Sequence, residues 1–195
     1  MRLLGEGAES RVFETEMFGK PVVVKHRHAK RYRIQHIDET LRKTRTRKEA
    51  RVMRRMEEAG VRVPALLGLG KFSIYMEKVP GKLLKDARVD EAAYTKIGKM
   101  LAEMHSADVV HGDFTPANII VGASGLCVID FGLSDISDSV EDKAIDLLLM
   151  KRSIGKREYA KLLGSYSKGY SGSKQVITRL ADIEKRGRYQ IRSLA

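Results

Sequence analysis

The feature that most constrains the fold is a pair of short segments in the second half of the chain. One is His111-Gly112-Asp113-Phe114-Thr115-Pro116-Ala117-Asn118, the other Val128-Ile129-Asp130-Phe131-Gly132. Each sets polar side chains among apolar neighbours that would hold them still. Asp113 and Asn118 are backed by Ile119, Ile120 and Val121; Asp130 follows Leu126, Cys127, Val128 and Ile129, at the end of a buried strand. Any fold that satisfies both must bring a loop bearing a carboxylate and an amide opposite a strand end bearing a carboxylate. That is the hard oxygen-donor set of magnesium-dependent phosphoryl transfer. A lone Asp or Asn is often only a turn cap. The three together, with His111 and Phe131-Gly132, point to a site, with His111 as a structural support of the loop.

Phosphoryl transfer also needs the nucleotide phosphates fixed. The first 24 residues read as strands, with Arg11–Phe18 and Pro21–Lys25 forming a hairpin about a turn at Gly19-Lys20. Gly5-Glu6-Gly7-Ala8-Glu9-Ser10 lies between the first two strands. Its glycines let backbone N–H groups approach phosphates, so Gly5, Gly7 and Ala8 are the expected contacts. Alone this is a weak signal. Lys25 ends a β-branched run, where an ammonium can reach phosphate oxygens if a carboxylate holds it. Thr44–Ala59 has helical periodicity, with Thr44 or Thr46 as N-cap and Gly60 as the C-terminal stop. Glu49 falls on the same face as Val52, Met53 and Met56, which makes it the expected partner of Lys25; Glu39 is the runner-up. The basic stretch His26–Arg47 has a weak pattern, helical around Ile34–Leu41.

Two more strands follow, Val63–Gly68 and Phe72–Glu77, and then the connector Val79-Pro80-Gly81. Helices are expected over Val89–Ser106, Glu141–Ser153, Glu158–Tyr170 and Val176–Arg186, the second of them apolar on most faces and hence central. The division is 1–78 for a strand-rich part with the phosphate loop, Lys25 and Glu49, and 79–195 for a helical part with the two opening segments and a basic tail, Lys185–Arg192.

Composition narrows the class. No apolar run is long enough to span a membrane and no signal-peptide core follows Met1, so a soluble, cytoplasmic protein is expected. The single cysteine, Cys127, excludes an internal disulfide and reads as an inert core thiol. His26, His28 and His36 have no zinc spacing. A net charge of +12 and a pI near 9.8 attract polyanions, and the charge is clustered in His26–Arg47 and the tail, with Tyr32 and Tyr189 able to stack on bases. Nucleic acid is the expected partner; two solvated basic faces are the plainer alternative.

From end to end the chain resembles protein-kinase-like phosphotransferases and, more narrowly, the small atypical kinase subunit of the KEOPS complex, the PRPK family. The resemblance is carried by Gly7-Ala8-Glu9-Ser10, Lys30-Arg31-Tyr32-Arg33, Arg47-Lys48-Glu49-Ala50-Arg51, His111–Thr115 with Asn118, and Ile129–Ser134 leading into Glu141–Leu147; Arg186-Gly187-Arg188 also matches. It implies an α+β, minimal bilobal kinase-like fold: an antiparallel N-lobe sheet with helices, then a reduced helical C-lobe. It implies Asp113 as catalytic base, Lys25 on the phosphates and paired to Glu49, Asn118 and Asp130 as Mg2+ ligands, and ATP as cofactor. It implies an ATP-hydrolysing serine/threonine kinase within the KEOPS assembly, beside the catalytic threonylcarbamoyl-transferase subunit and other KEOPS subunits, supporting modification of tRNA.

The departures from ordinary protein kinases matter as much. Gly112 stands where those enzymes usually carry the arginine that reads a phosphorylated loop. Only the short segment Ser134–Glu141 precedes the next helix, with no Ala-Pro-Glu, and the chain ends without further helices of a large lobe. Nucleotide chemistry is expected to be kept and peptide binding reduced; the sequence does not fix a phosphoacceptor, and Ser134, Ser137 and Ser139 are the nearby candidates. Alternatives are a RIO-like ribosome-assembly kinase, disfavoured because the chain begins almost at the phosphate loop; a small-molecule phosphotransferase of the aminoglycoside type; and a dead binding module, which the intact set of polar residues argues against.

Overall fold

The computed structural model describes the backbone of residues 1–192 and the side chains of residues 1–186. Strands β1 (Arg2–Glu6), β2 (Arg11–Met17), β3 (Lys20–His26), β4 (Leu66–Leu69) and β5 (Ser73–Glu77) form one antiparallel sheet in the order β1-β2-β3-β5-β4. Val22 and Val24 point to the buried face of β3. The hairpin register pairs Met17 with Lys20, so the turn is Phe18-Gly19, one residue earlier than expected. Both turn residues take positive φ, 50° and 72°, the geometry that matches strand twist in a two-residue loop. Gly5 and Glu6 belong to β1, which shortens the phosphate loop to the residues after them.

The two helical stretches expected around Ile34–Leu41 and Thr44–Ala59 are a single helix, α1 (Gln35–Glu58). Thr44 and Thr46 are interior to it and cap nothing; Thr46 Oγ1 donates back to Arg42 O at 2.8 Å. The helix begins earlier because Asp38, in its first turn, is buried and accepts from Arg42 and from the Lys30 backbone. A carboxylate there also complements the helix dipole. Arg42 lies over the Phe72 ring at 3.8 Å, docking this half of α1 on the sheet. Those anchors are polar, so the segment showed no apolar stripe. At the other end Gly60, with φ 78°, lets Val61 N reach Met56 O at 2.9 Å, a left-handed stop as expected.

The helical part holds β6 (Lys82–Leu83), α2 (Glu91–Ser106), β7 (Val109–Val110), β8 (Ile119–Gly122), β9 (Gly125–Val128), β10 (Asp135–Ile136), α3 (Val140–Ser153), α4 (Lys156–Gly169) and α5 (Ser173–Arg192). Asp90 caps α2 and Ser139 caps α3 through side-chain oxygens. Ile97, Leu101 and Met104 bury the stripe of α2, each contributing roughly 1.5–3 kcal/mol of transfer free energy. Gly98 lets α2 and α4 close up: a Cβ there would lie 2.2 Å from Leu162 O. Strands β6, β8 and β9 form a small sheet that presents Asn118 at one strand start and Asp130 just past another's end. One buried cluster runs from Val52, Met53 and Met56 of α1 through Phe131 and Phe114 to Leu101 and Leu147, so both parts share a core. The expected α+β kinase-like architecture is what forms. Among the described residues no helix is long and apolar enough to cross a membrane. In the basic tail, only Lys185 and Arg186 have described side chains; Arg188 and Tyr189 lie outside them.

Candidate active site

A cavity of about 380 Å³ opens between the sheet and the helical part. Apolar side chains wall one end of it, among them Val12, Val23, Met76, Leu83 and Ile120. Lys25, Glu49, Asn118 and Asp130 meet at the other. The walls suit a flat, largely apolar ring system, and the polar end suits a charged group attached to it. Gly5 lines the cavity; Gly7 and Ala8, in the loop beyond it, do not.

Lys25 comes from β3 and is buried, 6 % exposed. Its Nζ donates to Glu49 Oε1 and to Asp130 Oδ1, each at 2.6 Å. Glu49 is the inward carboxylate of α1, as its spacing predicts. Glu39 instead pairs with Lys71 at the surface. Glu49 has a second cation: Arg27 NH2 donates to its Oε2 at 2.6 Å.

Asp130 sits with φ 62°, a left-handed conformation that costs a non-glycine residue about 1–2 kcal/mol. Such strain concentrates at functional sites. It turns the carboxylate into the cavity, where Oδ1 accepts from Lys25 and from Gly132 N at 3.2 Å. Burial pulls this carboxyl up, but Lys25 outweighs it and holds the group below the usual carboxylate range. Asn118 Nδ2 donates to both Asp113 O and Asp113 Oδ2 at 2.9 Å, which fixes the amide and joins the two side chains. Asn118 Oδ1 and Asp130 Oδ2 are then the oxygens that can take a cation.

The supports beneath the site are of two kinds. His111 is fully buried between Phe114 and Phe131; its Nε2 bonds Ile129 O at 3.1 Å and its Nδ1 accepts from Asp113 N at 3.2 Å. This is the structural role expected of it. The second support was not anticipated. Asp146, fully buried on α3, accepts from His111 N at 2.7 Å and from Gly112 N at 2.9 Å, so one carboxylate carries the turn before Asp113. It also faces His105, which is a core residue bonded to Tyr166 through Nδ1 at 2.8 Å. Burial pushes the His105 imidazole below its usual pKa, against the pull of Asp146. A lone carboxylate within the apolar run of α3 was the available signal, since buried charges require partners. Arg27 also had a signal: it lies two residues after Lys25, hence on the same face of the strand path.

Gly112 has φ 76°, and a Cβ on it would lie 2.6 Å from Leu133 O. The backbone therefore has no room for an arginine here. The segment after Gly132 is strapped down at once. Asp135 pairs with Val110, Ile136 with Val109, and Lys48 of α1 reaches Asp135 at 2.7 Å. Ser134 is buried and donates to Phe131 O, Ser137 donates to Asp142, and Ser139 caps α3, so all three hydroxyls already have local partners. Cys127 is buried, and its thiol is pushed up to about 11 by desolvation, which fits an inert core thiol.

Two hard oxygen donors beside a third, Asp113, fit Mg2+, which keeps several waters and is completed by substrate phosphates. Among the described residues no group of three or more His, Cys, Asp or Glu side chains is placed to hold a metal ion by itself.

A family model described as the RIO domain matches residues 12–155. The "Probable bifunctional tRNA threonylcarbamoyladenosine biosynthesis protein" of Methanobrevibacter smithii is 39% identical over 197 residues, covering 96% of this chain and 36% of that protein. The chain thus spans little more than a third of the length of such curated relatives. The "KEOPS complex subunit Bud32" of Pyrococcus abyssi is 35% identical over 216 residues, covering 99% of this chain and 98% of that one. The structure of the Rio2 kinase–ADP/Mg2+–phosphoaspartate complex from Chaetomium thermophilum superposes with a TM-score of 0.67 over 96% of this chain and 70% of that one, at 18% identity, a likeness of fold.

Proposed function

The chain belongs to the RIO-domain family, in the branch of Bud32-type KEOPS subunits, and we propose from this that it is a magnesium-dependent, ATP-hydrolysing atypical serine/threonine kinase. The sequence treated the KEOPS and RIO-like readings as rivals; one domain family contains both. The observation that carries the proposal is Lys25 Nζ held at 2.6 Å by Glu49 and by Asp130 at the polar end of the cavity, with Asn118 and Asp113 joined beside it.

In this reading Lys25 binds the nucleotide phosphates and Glu49 keeps it oriented. Asp130 and Asn118 would hold Mg2+ through the oxygens left to them, and the site when loaded would offset charge on the phosphates. The backbone of Gly5, Gly7 and Ala8 covers the phosphates. Asp113, fixed by Asn118, orients the attacking water or hydroxyl and accepts its proton. The strapped segment at Asp135-Ile136 leaves little platform for a peptide, so hydrolysis and autophosphorylation dominate over broad substrate phosphorylation. The two parts, 1–78 and 79–195, act as the lobes that close on the nucleotide.

The relatives' names, a KEOPS complex subunit and a tRNA threonylcarbamoyladenosine biosynthesis protein, favour a place in a KEOPS assembly acting on tRNA; in this reading the assembly is cytoplasmic and the chain sits beside the threonylcarbamoyl-transferase subunit. The surface favours it too. Lys43, Arg47, Arg51 and Arg54 follow one exposed face of α1, and none forms an ion pair with a described residue. At 1.5 Å per residue they make a basic stripe about 16 Å long, suited to a phosphate backbone.

The test is phosphate release by the purified chain from Mg-ATP, alone and with tRNA plus the transferase subunit. Turnover stimulated by those partners, and abolished by Asp130→Ala, is expected. Wild-type turnover in Asp130→Ala would sink the site. Release that ignores tRNA and the partner but rises with an aminoglycoside acceptor would favour the small-molecule phosphotransferase reading.

A further inference from the structure

An unbroken row of alternating charges runs from the tip of the phosphate loop to the candidate metal ligand. Glu9 Oε2 lies 3.5 Å from Arg27 NH1, and Arg27 NH2 is 2.6 Å from Glu49 Oε2. Glu49 Oε1 is 2.6 Å from Lys25 Nζ, which is 2.6 Å from Asp130 Oδ1. Two further arginines converge on Glu9: Arg45 of α1 bonds its Oε1, and Arg33 approaches it at 3.6 Å. Burial pulls the Glu9 carboxyl up, but Arg45 and then the other arginines hold it below its ordinary range.

Arg27 is the joint of this row. Its side chain is 5% exposed, and its backbone is pinned on both sides: Arg27 N donates to Phe72 O at 2.9 Å, and Arg27 O accepts from Arg42 NH1 at 3.3 Å. Lys25 and Arg27 alternate along the strand path, so both cations face α1 and divide the two oxygens of Glu49 between them. That division matters because Lys25 is contested. Asp130 and Glu49 hold it at the same distance, so Glu49 with one partner could swing with Lys25. A carboxylate pinned through its other oxygen cannot. The same guanidinium reaches the phosphate loop, where Gly7 N to Ser10 O at 2.8 Å closes the turn that displays Glu9.

Resting on the phosphotransferase reading above, we propose that Arg27 is a positioning residue: it ties Glu9 of the phosphate loop to Glu49 of α1, setting loop and Lys25 together before nucleotide binds. In kinases whose helix glutamate must be brought into place, phosphorylation of a loop does that work. Here the clamp lies wholly within the strand-rich part, and the segment after Gly132 is too short and too firmly strapped to contribute such a switch. The binding cost of ordering the loop is reduced because Glu9 already holds it.

The experiment uses the full chain and compares Glu9→Gln, Arg27→Lys, Arg27→Met and the Glu9→Gln/Arg27→Met pair. KM for Mg-ATP and kcat are read from phosphate release, and backbone hydrogen exchange is read across residues 6–10. Glu9→Gln should raise KM by about two- to five-fold, the worth of part-exposed ion pairs, with a smaller loss in kcat and faster exchange in the loop. Arg27→Lys keeps one bond to Glu49 but cannot span to Glu9. It should therefore raise KM, by no more than Glu9→Gln does, while retaining more kcat than Arg27→Met. Adding Glu9→Gln to Arg27→Met should raise KM by less than Glu9→Gln does in the wild type, since the two variants share the Arg27–Glu9 link. A purely stabilising ion pair would instead lower the urea midpoint with KM and loop exchange unmoved, or give additive effects; either result overturns the clamp. If Arg27→Met does not fold, Glu9→Gln and Arg27→Lys still decide the question. Normal wild-type turnover with unchanged variants removes the clamp alone. Failure of the wild-type chain to bind nucleotide removes the functional reading and the clamp with it.

Discussion

Replacing Asp146 is the sharpest test of how the fold holds the site, because this residue touches nothing that reacts. Its carboxylate is fully buried, and its two oxygens take the backbone N–H groups of His111 and Gly112 at 2.7 and 2.9 Å. Hydrogen bonds to a charged acceptor contribute about 1.5–3 kcal/mol each, and a buried donor left without one costs about 1–3 kcal/mol. Asp146→Ala strands both N–H groups and opens a cavity beside His105. After allowing for the relieved desolvation of the carboxylate, the net loss should be about 3–5 kcal/mol. Asp146→Asn can still accept one N–H but turns its own donor toward the other, so about 2–3 kcal/mol is expected. Domains of this kind have about 5–15 kcal/mol in total, so both variants should remain folded at 25 °C. With a urea m-value of roughly 2 kcal/mol/M, the unfolding midpoint should fall by about 1.5–2.5 M for Ala and about 1–1.5 M for Asn. Turnover of Mg-ATP, measured well below those midpoints, should fall in both, because Asp113 hangs from the same turn. A midpoint shift below about 0.3 M for Asp146→Ala, or full turnover in a folded Asp146→Asn, would refute the claim that this carboxylate suspends the loop.

Three other outcomes follow from particular residues. Gly112→Ala places a Cβ 2.6 Å from Leu133 O at φ 76°, so a loss of about 2–4 kcal/mol with reduced turnover is expected; a neutral effect on the melting temperature would show that the loop yields. Burial, set against the pull of Asp146, lowers the His105 pKa below its ordinary value of about 6.5. The unfolded chain therefore binds the extra proton first, and stability present above pH 6.5 should drain away as the pH falls below it. His105→Gln should flatten the dependence of the unfolding free energy on pH below about 6.5, and an unchanged slope would remove His105 as its source. Substituting Lys43, Arg47, Arg51 and Arg54 together by Gln should reduce the log–log salt slope of tRNA binding by about three; a slope equal to wild type would clear α1 of phosphate contact.

What could be read from the sequence was what rests on short-range chemistry. Lys25, Glu49, Asp113, Asn118 and Asp130 were identifiable because each combines a polar group with an apolar frame of regular period; the fold brings Lys25, Glu49, Asn118 and Asp130 to one cavity and bonds Asp113 to Asn118. The start of α1 was expected near Ile34, but its continuity into Thr44–Ala59 was not legible, because Asp38, Arg42 and Arg33 anchor its first half through charge where periodicity looks for carbon. The same blindness hid Arg27 and Asp146. A pattern reading treats a buried charge as solvent-facing until a partner is known, and these partners are distant in sequence: Arg27 finds Glu49 22 residues away, and Asp146 finds His111 35 residues away. The site is thus built in two layers with different visibility. Groups able to meet nucleotide and metal sit at strand ends and in a loop, where local rules reveal them. Arg27 and Asp146, which hold those in place, are buried ions whose cost only the finished fold can offset, so the sequence signals them without naming their partners, which appear once α1 and α3 are packed against the strands.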